Sequence, residues 1–286
     1  MKIGIGLPNT IAGVPGSMLL DWARRAEERG FSSLATIGRV AYPSHDTMVT
    51  LAGAAAVTER IGLLTNILLI TTHSPVMIAK AAAGVDQISG GRLTLGLAPG
   101  SRPDDFEAAE QPYKNRGRRM DEALETMRKA WRGEAVAGSD KPVSPSPVRG
   151  DGIPILIGGM SEKAIERTVE HGIGWTAGGS PPDAVGPFAE QVRAAWKQAG
   201  REGEPYIVAL SYYVLGGKES ESAANLRHYY AFLGEMADTI AQYTPKTADG
   251  VQETAKAFEA LGVDEFIFDP SVADLAQIDL LADAIL

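Results

Sequence analysis

Residues 61–100 read IGLLTNILLITTHSPVMIAKAAAGVDQISGGRLTLGLAPG and spell out a whole strand, helix, strand unit with its turns. Residues 61–70 are an apolar, branched run almost free of charge, the pattern of a strand buried on both faces of a parallel sheet. Pro75 then opens a helix without loss, because the first backbone amides of a helix have no carbonyl partner. Val76, Ile78, Ala79, Ala82, Ala83, Val85 and Ile88 follow on one helical face, and Ser89, Gly90 and Gly91 end it. Residues 93–97 alternate into a second strand, broken by Ala98, Pro99 and Gly100 at its carboxyl end, the rim where parallel α/β proteins place ligands. One right-handed crossover accounts for the stretch.

The same alternation extends in both directions. Upstream, a strand at residues 3–7 leads through Pro8-Asn9-Thr10 into a helix over 17–29, with Ser17 as its N-cap and Gly30 at its end. A strand at 33–37 and a helix to residue 60, capped by Asp46, come next. Downstream, residues 101–114 read as an acidic, proline-punctuated loop, 115–131 as an amphipathic helix and 133–152 as a proline- and glycine-rich connector. Further strands fall at 155–157, 174–177, 207–214 and 265–268. Helices begin at Ser161 and at Pro181-Pro182-Asp183, a helical excursion covers 220–243, and helices at 247–260 and 274–286 flank the last strand. The fold expected is an α/β TIM (β/α)8 barrel, one domain over residues 1–286, with insertions after strands 4 and 7.

Composition narrows the function. Lys and Arg number 27 against 36 Asp and Glu, a formal net charge of −9, which argues against a nucleic-acid backbone or an anionic membrane surface as partner. There are no cysteines, so disulfides, thiol catalysis and cysteine-ligated metals are excluded. No run of about 18 apolar residues occurs, and the start, MKIGIGLPNT, goes straight into a strand. A cytoplasmic protein acting on a small molecule is the expectation.

Several residues invite chemistry. Asn66 is polar in the middle of an apolar strand, where it either satisfies a neighbouring backbone group or serves a ligand. Gly158-Gly159-Met160-Ser161 joins a strand end to a helix start, so backbone amides, a hydroxyl and the helix dipole can face an anion. Gly178-Gly179-Ser180 repeats the device after the next strand, and in both places a tight turn requiring positive φ is the competing account. Of His45, His73, His171 and His228, none has metal-ligand spacing. His73, in the turn after strand 3, is the one that could act in a site, and His171 reads as a helix C-terminal residue. Arg39, at the end of strand 2, could orient an anionic or carbonyl-bearing substrate but cannot donate a proton near neutral pH. Arg102 and Arg116 could supply charge to a phosphate. Tyr212, Tyr213 and Trp175 are pocket-wall or core aromatics, whereas Trp22, Trp131 and Trp196 lie on amphipathic helices and pack.

Three runs in order, Leu64-Thr65-Asn66-Ile67, His73-Ser74-Pro75 through Ala79-Lys80, and Asp86-Gln87-Ile88-Ser89-Gly90-Gly91-Arg92-Leu93, resemble the luciferase-like flavin oxidoreductases, the superfamily of bacterial luciferase and of deazaflavin-dependent dehydrogenases and reductases. Gly30-Phe31-Ser32-Ser33-Leu34, Arg116-Gly117-Arg118-Arg119 and Ile157 to Ser161 add to the match, which covers most of residues 2–179 and continues only in outline beyond. The resemblance implies a reduced flavin-type coenzyme held non-covalently, with its ring against a bulge at a cis peptide between Asn66 and Ile67. It implies a ring pocket of Leu7, Ile37, Arg39, Asn66, Ile67, Ala98, Gly158, Gly159 and Ala177. The coenzyme phosphate would then lie at Gly158, Gly159, Met160, Ser161, Gly178 and Gly179.

Departures from the family sharpen the reading. Many deazaflavin-dependent relatives hold a histidine where Arg39 stands. Pro99 stands where the luciferases hold a phosphate-binding arginine, and Ser101 where some sugar-phosphate oxidising relatives hold an acid. The reading favours coenzyme F420, a reduced 5-deazaflavin, with FMN as the alternative. Hydride transfer to an activated C=C or C=N is the activity expected, with Arg39 and His73 at the reacting end. The alternatives are an FMN-dependent monooxygenase and, from another class, a non-catalytic coenzyme binder or partner subunit. Relatives pair through their early helices, which implies a homodimer packed on the alanine-rich faces at 52–56 and 79–83.

Overall fold

The computed structural model describes residues 1–136, 138–150 and 152–286. Its strands are β1 (Lys2–Gly6), β2 (Ser33–Thr36), β3 (Gly62–Leu69), β4 (Leu93–Ala98), β5 (Ile155–Gly158), β6 (Gly174–Thr176), β7 (Tyr206–Tyr213) and β8 (Glu265–Pro270). They close, all parallel and in sequence order, into one barrel. Helices α1 (Gly16–Arg29), α2 (Thr47–Val57) and α3 (Pro75–Ser89) follow the first three strands. After β4 come α4 (Pro103–Ala108) and α5 (Arg116–Trp131), then α6 (Glu162–His171) after β5 and α7 (Pro182–Gln198) after β6. The excursion after β7 holds α8 (Glu219–Tyr229), a 3-10 turn and α9 (Met236–Tyr243) before α10 (Ala248–Ala260), and α11 (Ala276–Ile285) follows β8.

Local chemistry sets the ends of these elements. Asp46 accepts from the Val49 amide at the start of α2, and Ser161 and Thr247 cap α6 and α10 in the same way. Gly30 and Gly90 end α1 and α3 in the left-handed conformation that lacks a Cβ penalty. Ser17 does not cap α1: the helix starts one residue earlier, with Pro15 as its flanking residue and no side-chain cap. Residues 101–114 are not one loop either, since Pro103 starts the short α4, which buries Asp105 and Phe106. No helix of the described residues is long and apolar enough to cross a membrane.

Alternation along the strands separates two cores. Outward-facing residues such as Ile5, Leu34, Leu63, Leu95, Trp175 and Phe268 pack beneath the helices in one large cluster. Ala35, Leu64, Leu156, Val208, Leu210 and Ile267 point inward and fill the middle of the barrel. Below them, at the amino ends of the strands, Glu265 accepts hydrogen bonds from Ser32, Ser33 and Tyr206. Above them, at the carboxyl ends, the inward layer turns polar. Of the alanine-rich faces, Ala54, Ala55, Ala79, Ala82 and Ala83 are buried inside the chain, whereas Ala52 is half-buried and Ala56 and Ala81 are exposed.

Candidate active site

At the carboxyl mouth β3 shifts register against β4 between Thr65 and Leu68, and the Asn66–Ile67 peptide is cis, as the resemblance implied. Two glycines leave the space this bulge needs. A Cβ on Gly96 would lie 2.1 Å from the Thr65 carbonyl oxygen, and one on Gly158 would lie 3.3 Å from Cγ2 of Ile67. Thr176 on β6 donates to Oδ1 of Asn66 at 2.6 Å, which fixes the amide across the barrel, while Nδ2 of Asn66 is buried without a partner among the described residues. An unpaired buried donor is costly, so this one is a natural contact for a bound ring.

Beside the bulge stand the two glycine turns. Gly159 has φ +109° and Gly178 φ +57°, both in the region that favours glycine. The turns touch: the Ser180 hydroxyl lies 3.3 Å from the Met160 sulfur, and Trp175 Nε1 donates to the Gly159 carbonyl at 2.8 Å. Gly159, Met160 and Ser161 are exposed at the start of α6. The positive end of the α6 dipole faces outward there, as an anion would require.

Two cavities open at this mouth. One, of about 240 Å³, is lined by Gly38, Arg39, Asp46, Leu68, Leu69 and His73 among others. The other, of about 710 Å³, lies at the ends of β6 and β7 and includes Gly179, Leu210, Tyr212 and Tyr230. Leu7, Asn66, Ala98, Gly158 and Ala177 are buried and line neither cavity, with Ile37 and Ile67 half-buried. The structure thus gathers the expected residues at one mouth but divides their openings.

Arg39 is more committed than its sequence position suggests. Its Nε donates to both oxygens of Asp105 at 3.0 and 2.8 Å, and Nη2 donates to Asp104 and to the Ala41 carbonyl. The same Asp105 accepts from the Val40 and Ala41 amides, so one buried carboxylate organises the whole loop after β2. Among the described residues only Nη1 lacks an acceptor. His73 makes no side-chain hydrogen bond among the described residues; burial lowers its pKa, against the opposing pull of Asp46, and keeps it neutral. Among the described residues, Arg102 and Arg116 make no hydrogen bond to the glycine turns. Arg102 sits over the rings of Tyr229, Tyr230 and Phe232, and Arg116 donates to the Gly100 carbonyl.

One residue of this layer escaped the sequence reading. Asp269, near the end of β8, is fully buried, and neither carboxyl oxygen has a partner among the described residues. Burial alone pushes its pKa up to about 8, so it is mostly a neutral acid at pH 7. Tyr212 pairs with it in register on β7 and shares its hydroxyl with Tyr230 at 2.9 Å. Tyr212 faces the cavity, whereas Tyr213 and Trp175 point outward into the helical core.

The family model for luciferase-like monooxygenases matches residues 1–278. An uncharacterised protein of Mycobacterium tuberculosis is 26% identical over 226 residues, 68% of this chain and 77% of that protein. Monooxygenase RslO1 from Streptomyces bottropensis superposes with a TM-score of 0.82 at 22% identity, covering 99% of this chain and 98% of that one. An F420-dependent secondary alcohol dehydrogenase, solved with an F420-acetone adduct, gives 0.81 at 16% identity with the same coverage. At such identities the two structures speak for the barrel alone. The match across nearly the whole sequence speaks for more, and by it the chain belongs to the luciferase-like monooxygenase family of enzymes.

Proposed function

We propose that this enzyme uses a reduced, non-covalently bound deazaflavin or flavin coenzyme to reduce an activated C=C or C=N bond of a small organic molecule. The observation that carries the reading is the β3 bulge, with Ile67 set over Gly96 and Gly158 beside an unpaired Asn66 amide. These groups fit a flat ring that presents apolar area and hydrogen-bonding edges. The coenzyme, when bound, supplies the hydride. The chain does the rest. Leu7, Ile37, Asn66, Ile67, Ala98 and Ala177 hold the ring, and the amides and hydroxyl of Gly158, Gly159, Met160, Ser161, Gly178 and Gly179 take the phosphate. Arg39 offers its Nη1 hydrogens to the coenzyme from the smaller opening, and His73, neutral and unbonded among the described residues, can hold a proton there.

F420 is favoured because Pro99 stands where the luciferases hold a phosphate-binding arginine; the relative solved with an F420-acetone adduct agrees in fold. The second reading is an FMN-dependent monooxygenase, and of this the name of RslO1 supports the monooxygenase part alone. We further infer a cytoplasmic, single-domain enzyme that pairs with a second copy through the exposed apolar residues Val49, Met77 and Ile88 of α2 and α3. Titrating the purified protein with F420 and with FMN, followed by coenzyme oxidation with and without air, tests the reading. Expected are F420 binding at least about tenfold tighter than FMN and oxidation that needs an organic acceptor but not oxygen. Tight FMN binding with oxygen consumption would move the enzyme to monooxygenation, and coenzyme binding with no turnover on any acceptor would make it a binder. Light scattering that gives a monomer at micromolar concentration would remove the dimer.

A further inference from the structure

The 710 Å³ cavity lies between the carboxyl ends of β6 and β7 and helices α9 and α10, and its size is that of a small-molecule site. Its walls are chiefly apolar, with Pro182, Leu210, Met236, Ile240 and Phe258. Its charge is one-sided: Glu253 is the only ionisable acid or base among the lining residues apart from the tyrosines, and no lysine, arginine or histidine faces it. A phosphate or carboxylate placed here would find no counter-charge and would meet Glu253. The anionic parts of a coenzyme therefore belong elsewhere, and the glycine turn at Gly179 borders the cavity on that side.

The polar groups that remain are few and mostly used. The hydroxyls of Ser180, Ser211, Thr244 and Thr254 donate to backbone carbonyls. Tyr212 and Tyr230 share one hydrogen bond between their hydroxyls, and neither makes another among the described residues, so one phenolic hydrogen of the pair has no acceptor there. Burial pushes Tyr230 up to about 12 and Tyr212 well above its ordinary value, so both remain neutral donors. An acceptor oxygen on a ligand is what the pair lacks.

We propose that this cavity seats the substrate, and that the substrate is an uncharged, largely apolar α,β-unsaturated ketone whose carbonyl oxygen takes the free hydroxyl hydrogen of the Tyr212–Tyr230 pair. This rests on the function proposed above, because a ketone so placed activates the adjacent C=C for reduction. The tyrosine pair acts as donor only, and the covalent step belongs to that function.

The probes are benzylideneacetone, a neutral aryl enone, and cinnamate, an anion of like size and shape, titrated by calorimetry into the coenzyme-free protein and into protein saturated with oxidised F420 or FMN. The enone is expected to bind at least about tenfold tighter than cinnamate. Tyr230→Phe should weaken the enone about fivefold and leave cinnamate unchanged. Ala257→Trp, on the exposed face of α10 that borders the cavity, should abolish enone binding while the melting temperature holds. Glu253→Lys should raise cinnamate affinity. Equal affinity for the two probes, no binding of the enone in either form of the protein, or an Ala257→Trp variant that binds it unchanged would each overturn the proposal. Coenzyme binding is measured separately on the same preparation. A protein that binds the enone as expected but neither coenzyme would sink the proposed function and leave the cavity assignment standing.

Discussion

Asp269 occupies the space that a side chain on Gly6 would take: a Cβ there would lie 1.8 Å from Oδ1 and 3.0 Å from Cα of the aspartate. The two residues sit on β8 and β1, neighbouring strands of the closed barrel, both on the inward face. Glycine on one strand is what lets the other carry a buried acid. Gly6→Ala should therefore cost about 1–3 kcal/mol, the usual penalty for overpacking a tight interior. In an Asp269→Ala background part of that loss should return, because the oxygen that Cβ would strike is gone. Urea unfolding of the four-member cycle measures the coupling, and strict additivity would contradict the contact.

The neutral state of Asp269 makes stability depend on pH. Its folded pKa, about 8, lies above the ordinary aspartate value of 3.8 that the unfolded chain keeps, so between these limits the folded protein holds a proton that the unfolded chain has released. The sign follows: the contribution is complete below about pH 3.8 and is lost as pH rises toward 8, by an amount on the order of a few kcal/mol. Asp269→Asn, which is neutral throughout, should flatten this slope. Melting curves of both proteins from pH 5 to 8.5 should diverge, with the variant gaining as pH rises. Parallel curves would mean that the carboxyl is ionised in the fold.

The ion pairs of Arg39 are unequal. Asp105 is fully buried beside a guanidinium-bearing side chain only 6% exposed, whereas Asp104 is 54% exposed. Removing one partner of a buried pair strands the other charge, so Asp105→Ala should cost about 3–5 kcal/mol. Asp104→Ala should cost under about 1 kcal/mol, as exposed pairs do. Asp105→Ala also frees the Val40 and Ala41 amides, and proteolysis should find the loop after β2 more readily in that variant. Similar losses from both substitutions would deny the special role of Asp105.

Much of this architecture is legible in the sequence, because apolar runs, helical faces and glycine stops repeat locally through the barrel. The candidate site is legible where a residue contradicts its own surroundings. Asn66 interrupts an apolar strand, and the glycine pairs at 158–159 and 178–179 end strands that need a turn. Asp269 gives no such signal: the apolar run of the last strand ends at Phe268, one residue before it. Its place emerges only when Glu265, Ile267 and Asp269 are set as inward positions against Gly4 and Gly6 of the neighbouring strand. The partner of Arg39 was hidden for another reason. Asp105 lies 66 residues away, in a short helix within a segment whose prolines and acids read as loop. Long-range pairing leaves no periodic trace.

Arg92 lies in Asp86 to Leu93, one of the three runs that resemble the family, yet it stands at the barrel mouth opposite the proposed site. Arg92 precedes β4 and borders the cavity at the amino ends of the strands, with Gly62 and Glu265. Its guanidinium spends its hydrogens on four backbone carbonyls and a hydroxyl: Nε donates to Ser89, Nη1 to Ile61 and the Thr58 hydroxyl, and Nη2 to Ala55 and Thr58. The carbonyls of Ala55 and Thr58 belong to the end of α2, where the last turn of a helix leaves acceptors unfilled. One side chain thus closes α2 and ties it to the end of α3 and the entry of β3. Lysine has three hydrogens on a single nitrogen and cannot span this set. Arg92→Lys should lower stability by about 2–3 kcal/mol, with Arg92→Met worse, since burial is kept and every acceptor is left open. Coenzyme affinity, read by fluorescence titration at a temperature where each variant is folded, should stay within about twofold of the parent, a change of less than half a kcal/mol. A variant that keeps its melting temperature but loses the coenzyme would place Arg92 in the site and undo the separation between the mouth that holds the barrel together and the mouth that binds.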